Sequence, residues 1–452
     1  MFTEFRLRNF RTHKDTRIRL GALTLLIGGN NSGKTNFLAG IREFSKLAAR
    51  GRPESANTVG GATPEVGRSG AKDEDYLAHV HRLSRPEPLV YSCVWQRHGK
   101  RVAYELSLTP HVHTHEAVPA PPIAYCSERI ELARHESDAP VVVETGTEGR
   151  RSELGLQKRV ASEVAHAWPL EARRSADPAR DTAALFFENL SRCRYFDLQT
   201  RSLQGYGDGN GARPSRRETT AAGEAPSQAS ITDRLRTDGG GLHAALRQMS
   251  ETDQEALQRW QAALQRFEPS FRAVKLGGGE GPRWGFDLGG ETLHLDDFAP
   301  DVVSGGLLRA AAVGLLAEME SPPPLIMLEE IENGISQRNL ATFLAWLRQA
   351  AGPPQPPHGD YRTQFILTSH SPSVLREFSE YLNDAYFFRL HQYGYRSVVT
   401  NLGDSMATYI NMGVAEGEVI PAEHEGDRPT VVASPTELTD MWFSGTIGGG
   451  VV

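Results

Sequence analysis

The chain has 452 residues and a formal charge of −7, and none of its apolar runs approaches the roughly 20 residues that span a bilayer. That length accommodates one large domain or two to three ordinary ones, and the mild acidity excludes a surface that is basic throughout, as a general nucleic-acid coat would be. The first residues, Met1-Phe-Thr-Glu-Phe-Arg-Leu-Arg, lack a signal peptide's apolar core, and Cys93, Cys126 and Cys193 form no CxxC pair, a pattern that fits a reducing cytosol and no structural zinc.

Residues 2–8 alternate apolar and charged side chains, as a strand with one inward face does, and residues 16–20 repeat the pattern. Arg6, Arg8, Arg11, Lys14, Arg17 and Arg19 make this start basic, which reads as a solvated edge strand or a local DNA-contacting face. Leu23-Thr-Leu-Leu-Ile27 is a short buried strand. It runs into Gly28-Gly29-Asn30-Asn31-Ser32-Gly33-Lys34-Thr35, a complete phosphate-binding P-loop, and then into a helix with apolar positions at Phe37, Leu38, Ile41 and Phe44. Gly28 and Gly33 let the backbone curl so that its N–H groups face phosphate oxygens, and the helix contributes its positive dipole end. Lys34 is expected on the β- and γ-phosphates, Thr35 on Mg²⁺, and Asn36 completes the loop's ligand set.

Residues 50–75 read as a surface loop. Residues 88–109 alternate again, with a hairpin break at His98-Gly99-Lys100. His111, His113 and His115 would share one strand face and have the makings of a metal site, but their Pro-flanked segment reads as a loop. Further strands are predicted at 123–130 and 141–144, and helices at 152–166 and 181–191. Residues 204–230 read as a linker that contains a second basic cluster, Arg213, Arg216 and Arg217. A helix-rich stretch follows over 231–268. Leu257, Trp260, Leu264 and Phe267 share one face there, over too short a span for a sustained coiled coil.

Three downstream motifs say what kind of machine uses the nucleotide. Ser304-Gly305-Gly306 opens an apolar helix, an arrangement suited to an anion. Leu325-Ile-Met-Leu328 is a buried strand that ends in Glu329-Glu330, the Walker B pattern. Glu329 is assigned to the Mg²⁺ shell, and Glu330 to orienting and deprotonating the attacking water. Gln364-Phe-Ile-Leu-Thr-Ser-His370 is another apolar strand, ending in a histidine placed to hydrogen-bond the γ-phosphate as a neutral imidazole. The tail over residues 416–440 is acidic.

In this order the P-loop, Ser-Gly-Gly, Glu-Glu and His resemble the ABC/SMC/RecF class of ATPase heads. That resemblance implies an α/β P-loop NTPase head with an inserted helical and irregular lobe. It also implies two heads closing on two ATP molecules, with Ser304 completing the partner's site. Residues 1–130 and 300–412 would form the head, 131–299 the inserted lobe with linker 204–230, and 413–452 an acidic tail segment. Phe5-Arg-Leu-Arg-Asn-Phe-Arg, Leu328-Glu-Glu-Ile-Glu-Asn-Gly and Thr368-Ser-His-Ser-Pro narrow the resemblance. They look like a bacterial RecF-like predicted ATPase family, similar to the ATPase part of OLD-type nucleases. That family usually has Ser-Asp-Gly where Ser304-Gly305-Gly306 stands and Pro where Ile331 stands, which bears on the timing of dimer closure.

The expected activity is Mg²⁺-dependent ATP hydrolysis in a cytoplasmic head that pairs with itself. Lys34, Glu330 and His370 are its catalytic candidates. Two outputs stay open. One is DNA repair or anti-phage defence with double-stranded DNA as partner, and the other is a scaffold that holds or releases a separate effector protein. A transporter is disfavoured because Ser304 lies far from the P-loop, and a GTPase because no Asn-Lys-x-Asp motif occurs. A fused nuclease is disfavoured because residues 371–452 show no clear acidic metal constellation.

Overall fold

A computed structural model describes residues 1–49, 87–110, 123–133, 140–148, 178–206, 231–276, 282–289, 295–352, 363–391, 393, 395–422 and 428–447. In chain order, β1 (Phe2–Phe10), β2 (His13–Arg19), β3 (Leu23–Gly28) and α1 (Lys34–Ala49) come first. They are followed by β4 (Leu89–Arg97), β5 (Lys100–Pro110), β6 (Ile123–Ala133), β7 (Val141–Glu148), α2 (Pro178–Ser191) and β8 (Arg194–Phe196). Next come α3 (Leu242–Thr252), α4 (Gln254–Phe267), β9 (Phe271–Lys275), β10 (Arg283–Asp287), β11 (Leu295–Phe298) and α5 (Gly305–Glu318). The last part of interest holds β12 (Leu325–Leu328), α6 (Gln337–Ala351), β13 (Gln364–Ser369), β14 (Ala385–His391) and β15 (Arg396–Asn401).

The contacts divide the chain into two units that interleave in sequence. Unit one holds Met1–Gly21, Gly28–Cys193 and Tyr386–Asn401, and unit two the remainder. Elements from 131–299 fall in both. The expected helix at 152–166, the histidines at 111–115, the loop at 50–75 (all of it) and all but the first residues of the 204–230 linker lie outside the described residues.

Unit one is built on an antiparallel sheet of order β2-β1-β4-β5-β6-β7. The predicted alternation is its packing pattern: Phe5, Leu7, Tyr91, Cys93, Trp95, Val102, Tyr104 and Leu106 are all buried. The β4–β5 hairpin turns at His98 and Gly99, both with positive φ (51° and 75°), which matches the twist of the flanking strands. Phe37, Leu38, Ile41 and Phe44 of α1 are buried, and Phe44 stacks on Tyr91 and Tyr104 with centroids 5.5 and 5.4 Å away. Phe186 and Phe187 of α2 meet Tyr104 edge-on at 5.8 and 5.1 Å. Such pairs add about 0.5–1.5 kcal/mol each beyond area burial. The second strand starts at His13, earlier than the alternation at 16–20 suggests, because Phe10 pairs with His13 across a two-residue turn in which Arg11 has φ 49°. The basic start is partly neutralised across this ladder. Arg6 meets Asp15 at 2.6 Å and Arg17 meets Glu4 at 2.5 Å, and the Arg6 guanidinium holds the Asp15 carboxyl below its ordinary value.

Unit two is built on parallel strands. Leu23 to Ile27 of β3 pair with Phe365 to Ser369 of β13, β13 pairs with β12, and β12 with β8. β3, β12 and β13 are buried at every position, which is why each reads as a continuous apolar run. Helix α5 is buried from Gly306 to Leu316. Trp346 of α6 packs so closely on α5 that a Cβ at Gly314 would lie 1.9 Å from its ring. Trp260 of α4 donates its indole N–H to Ala311 O at 2.8 Å. It also clusters with Phe271 and Trp284 of the antiparallel sheet β11-β10-β9. Of the four residues expected on one face of that helix, Trp260, Leu264 and Phe267 are buried and Leu257 is half-buried.

Candidate functional site

In unit one the P-loop residues sit between the end of β3 and the start of α1 at Lys34. Gly29, Asn30, Asn31 and Thr35 are exposed, Lys34 and Asn36 half-buried, and Ser32 and Gly33 buried. Asn31 (φ 61°) and Gly33 (φ 106°) take left-handed backbone, asparagine being one of the few side chains that visits it readily. Lys34 Nζ folds over the loop and donates to Gly28 O at 2.7 Å and Gly29 O at 2.8 Å.

The loop is braced from behind by His13, Thr12 and Ser397, which no sequence motif marks out, together with Asn36 and Arg11. His13, fully buried, places Nε2 3.0 Å from Gly33 O and Nδ1 2.9 Å from Thr16 Oγ1. A carbonyl only accepts, so Nε2 carries the proton and Nδ1 accepts from Thr16. Ser397 Oγ lies 2.8 Å from both Ser32 O and Thr12 Oγ1, so its one proton goes to the carbonyl and Thr12 donates to it. Asn36 donates to Thr12 at 3.1 Å, and Arg11 donates to Asn36 at 3.1 Å. A Cβ at Gly33 would lie 2.0 Å from Ser397 Oγ, so only glycine fits there. Ser397 is 365 residues from Ser32, a separation with no local sequence signal.

In unit two the remaining motifs converge. Glu329 follows β12, with its N–H on Phe196 O at 3.0 Å and its Oε1 accepting from Tyr195 Oη at 2.9 Å. Glu330 is exposed and left-handed at φ 46°, a conformation that costs a bulky residue about 1–3 kcal/mol. Its surroundings hold it there: its N–H donates to Thr368 Oγ1 at 3.0 Å, its carbonyl accepts from Arg309 Nη1 at 3.2 Å, and its carboxylate accepts from Asn333 Nδ2. Arg309 lies on α5, is buried, and also donates to Leu198 O. Burial pulls its guanidinium below its ordinary value, against the opposing pull of Asp197, Glu330 and Glu332.

Ser304 caps α5, its Oγ accepting from Leu307 N at 3.2 Å, and is exposed. Gly305 is half-buried. Gly306 is buried so tightly that a Cβ would lie 2.1 Å from Gly334 O, which brings the Ser-Gly-Gly turn against the loop that leaves Glu330. His370 follows β13 with its side chain 47% exposed, and its N–H donates to Glu332 Oε1 at 2.9 Å. Unit two therefore gathers Ser304, Gly305, Gly306, Glu329, Glu330 and His370 around the ends of β12 and β13. It adds Tyr195, Arg309 and Glu332, which sequence reasoning missed. Glu332 had a signal: it is the third acid in the four residues 329–332.

Toward a magnesium ion, unit one offers the exposed Thr35 hydroxyl and, separately, unit two offers the Glu329 carboxylate, each a hard oxygen ligand of the right chemistry. Among the described residues no group of three or more His, Cys, Asp or Glu is arranged to hold a metal by itself. Among them also, no helix is long and apolar enough to cross a membrane.

Residues 1–71 match the family model described as AAA ATPase domain. Residues 281–376 match the model described as AAA domain, putative AbiEii toxin, Type IV TA system. The first match contains the P-loop, and the second contains Ser304, Glu329, Glu330 and His370. No curated protein matches the chain. Among solved structures it is similar to the SMC head domain from Thermotoga maritima, with 11% identity over 88% of this chain and 98% of that one at a TM-score of 0.39. It is also similar to an SmcHead bound to the C-winged helix domain of ScpA, with 13% identity over 90% and 99% at 0.44. A third is an Smc head with an extended coiled coil bound to the C-terminal domain of ScpA derived from Pyrococcus furiosus, with 10% identity over 91% and 99% at 0.39. These superpositions are loose, and the α/β P-loop description rests on this chain's own strands and on the two family matches.

Proposed function

We propose that this chain, whose two matched segments are AAA-type ATPase sequence, binds and hydrolyses ATP and uses closure of two heads as a switch. The observation that carries the reading is the ordered set of a braced P-loop, Ser304 at a helix start, the Glu329-Glu330 pair and His370. The curled loop and the N-terminus of α1 suit the phosphates, with Lys34 released from Gly28 and Gly29 to meet the β- and γ-oxygens. Thr35 and Glu329 would hold Mg²⁺, which when bound neutralises developing charge on the phosphates. Glu330 projects from a strained backbone held on three sides, and it orients and deprotonates the attacking water. His370 donates to the γ-phosphate, and Ser304 on the exposed start of α5 serves a partner head's nucleotide.

For the output, the second family's description favours bacterial defence over housekeeping repair. The ion pairs that tie up Arg6 and Arg17 reduce the free basic surface at the N-terminus, which supports a protein effector as the partner ahead of duplex DNA. Mg²⁺-dependent ATP turnover, together with nucleotide-stimulated capture of duplex DNA at two salt concentrations, tests both parts. Turnover without salt-sensitive DNA retention supports the effector reading. A steep loss of DNA binding with salt supports the DNA reading. Absence of ATP binding overturns the ATPase.

A further inference from the structure

The structure assigns Glu332 as the positioning residue for His370. This rests on the reading of His370 as the γ-phosphate contact and adds the group that aims it. Glu332 Oε1 accepts from the His370 backbone N–H at 2.9 Å and from Ser369 Oγ at 2.9 Å, and it lies 3.2 Å from His370 Nδ1. One carboxylate oxygen thus grips the end of β13, the histidine's backbone and its ring. The Glu332 side chain is 14% exposed against 47% for His370, so the clamp is inside and the imidazole looks outward. Glu332 Oε2 is buried and has no hydrogen-bond partner among the described residues. An orphaned buried carboxylate oxygen is costly, and a residue kept only for stability would be poorly chosen here.

The chemistry follows from which ring nitrogen bears hydrogen. A carboxylate against Nδ1 fixes the proton on that nitrogen and leaves Nε2 as the outward one. In the neutral ring Nε2 is then an acceptor and cannot donate to a phosphate oxygen. Donation from Nε2 to the γ-phosphate would therefore need a second proton on the ring, whose charge Glu332 would offset. With Nδ1–H fixed, the neutral imidazole expected from the sequence would offer the γ-phosphate no donor at Nε2. The loop that carries Glu332 also carries Asn333, which holds the Glu330 carboxylate, so sensor and water-orienting residue are set by one turn of chain.

The test uses the full chain labelled with ¹⁵N-histidine, with the His370 resonances identified by their absence in His370→Gln. Long-range ¹H–¹⁵N correlation at alkaline pH is expected to show the Nδ1–H form in the wild type, loss of that preference in Glu332→Ala, and its return in Glu332→Asp. ATP turnover is expected to fall about tenfold or more in Glu332→Ala with little change in KM, and the double variant with His370→Ala is expected to be no slower than His370→Ala alone. A wild-type ring protonated on Nε2 overturns the assignment even if a Glu332 variant fails to fold. So does a double variant that is slower by the product of the two single effects. If His370→Ala turns over ATP like the wild type while the Nδ1–H signature stands, the γ-phosphate reading has failed and the Glu332–His370 pairing has not.

Discussion

In the proposed reading Lys34 and Glu330 act at different stages, and their variants should separate. Lys34→Ala removes the proposed phosphate contact, and ATP turnover should fall by about 100-fold or more, with binding weakened. Glu330→Gln keeps the shape and the Asn333 contact but removes the proposed base, and turnover should fall by about 10²–10⁴-fold with ATP still bound. Equal loss of binding in both variants, measured by equilibrium titration with ATP, would contradict the division of roles. His13 gives a subtler expectation. His13→Ala removes one hydrogen bond to Gly33 O, which still accepts from Phe37 N at 2.9 Å, so ATP affinity should fall by about fivefold, the equivalent of about 1 kcal/mol. An unchanged affinity would mean the brace is dispensable. The curl of the loop over residues 28–35 was legible because it is local: its glycines and Lys34 lie within a few residues of one another. The brace was not, because His13, Thr12 and Ser397 reach the loop through tertiary pairing, including the Ser397 N–H on Thr12 O at 2.7 Å.

At the scale of elements, close packing explains why Gly306 stands at the second position of α5. In Gly306→Ala the new methyl meets a backbone carbonyl, so the turn and the loop from Glu330 must separate. Overpacking of this kind costs about 1–3 kcal/mol, and turnover should fall with stability. Wild-type thermal stability in that variant would contradict the contact. A second element carries a pH signature. His243 of α3 is half-buried and accepts from Trp284 Nε1 at 3.1 Å, and desolvation of its ring pulls its pKa from 6.5 down to about 4. The unfolded chain therefore takes up this proton first as pH falls. The stability held above pH 6.5 should be lost between about 6.5 and 4, by about 3 kcal/mol. Urea unfolding of wild type and His243→Gln at pH 7 and 4.5 checks this, the variant lacking that share of the pH dependence. The buried strands β3, β12 and β13 and the alternating β4–β5 hairpin were readable because period and apolarity decide their burial. The convergence on Glu330 was not readable, since no pattern along the chain announces a left-handed glutamate or an arginine of α5 donating to its carbonyl.

At the scale of the whole molecule, the sequence order of motifs is preserved while the chain passes repeatedly between two units. The P-loop belongs to unit one. Ser304, Glu329, Glu330 and His370 belong to unit two, where the loop over residues 331–334 links the start of α5 to the ends of β12 and β13. A change felt at Ser304 therefore has a short packed route to Glu330, through Gly306 against Gly334 and Arg309 on the Glu330 carbonyl. In the proposed reading this route would couple arrival of a partner head to readiness for hydrolysis. The most direct measurement is the solution mass of the Glu330→Gln protein with and without ATP and Mg²⁺, by light scattering on a size-exclusion column. The subunit number is expected to rise with ATP, and the rise to be lost in the Glu330→Gln, Ser304→Arg double variant. An unchanged mass with ATP demonstrably bound would contradict closure of two heads as the switch.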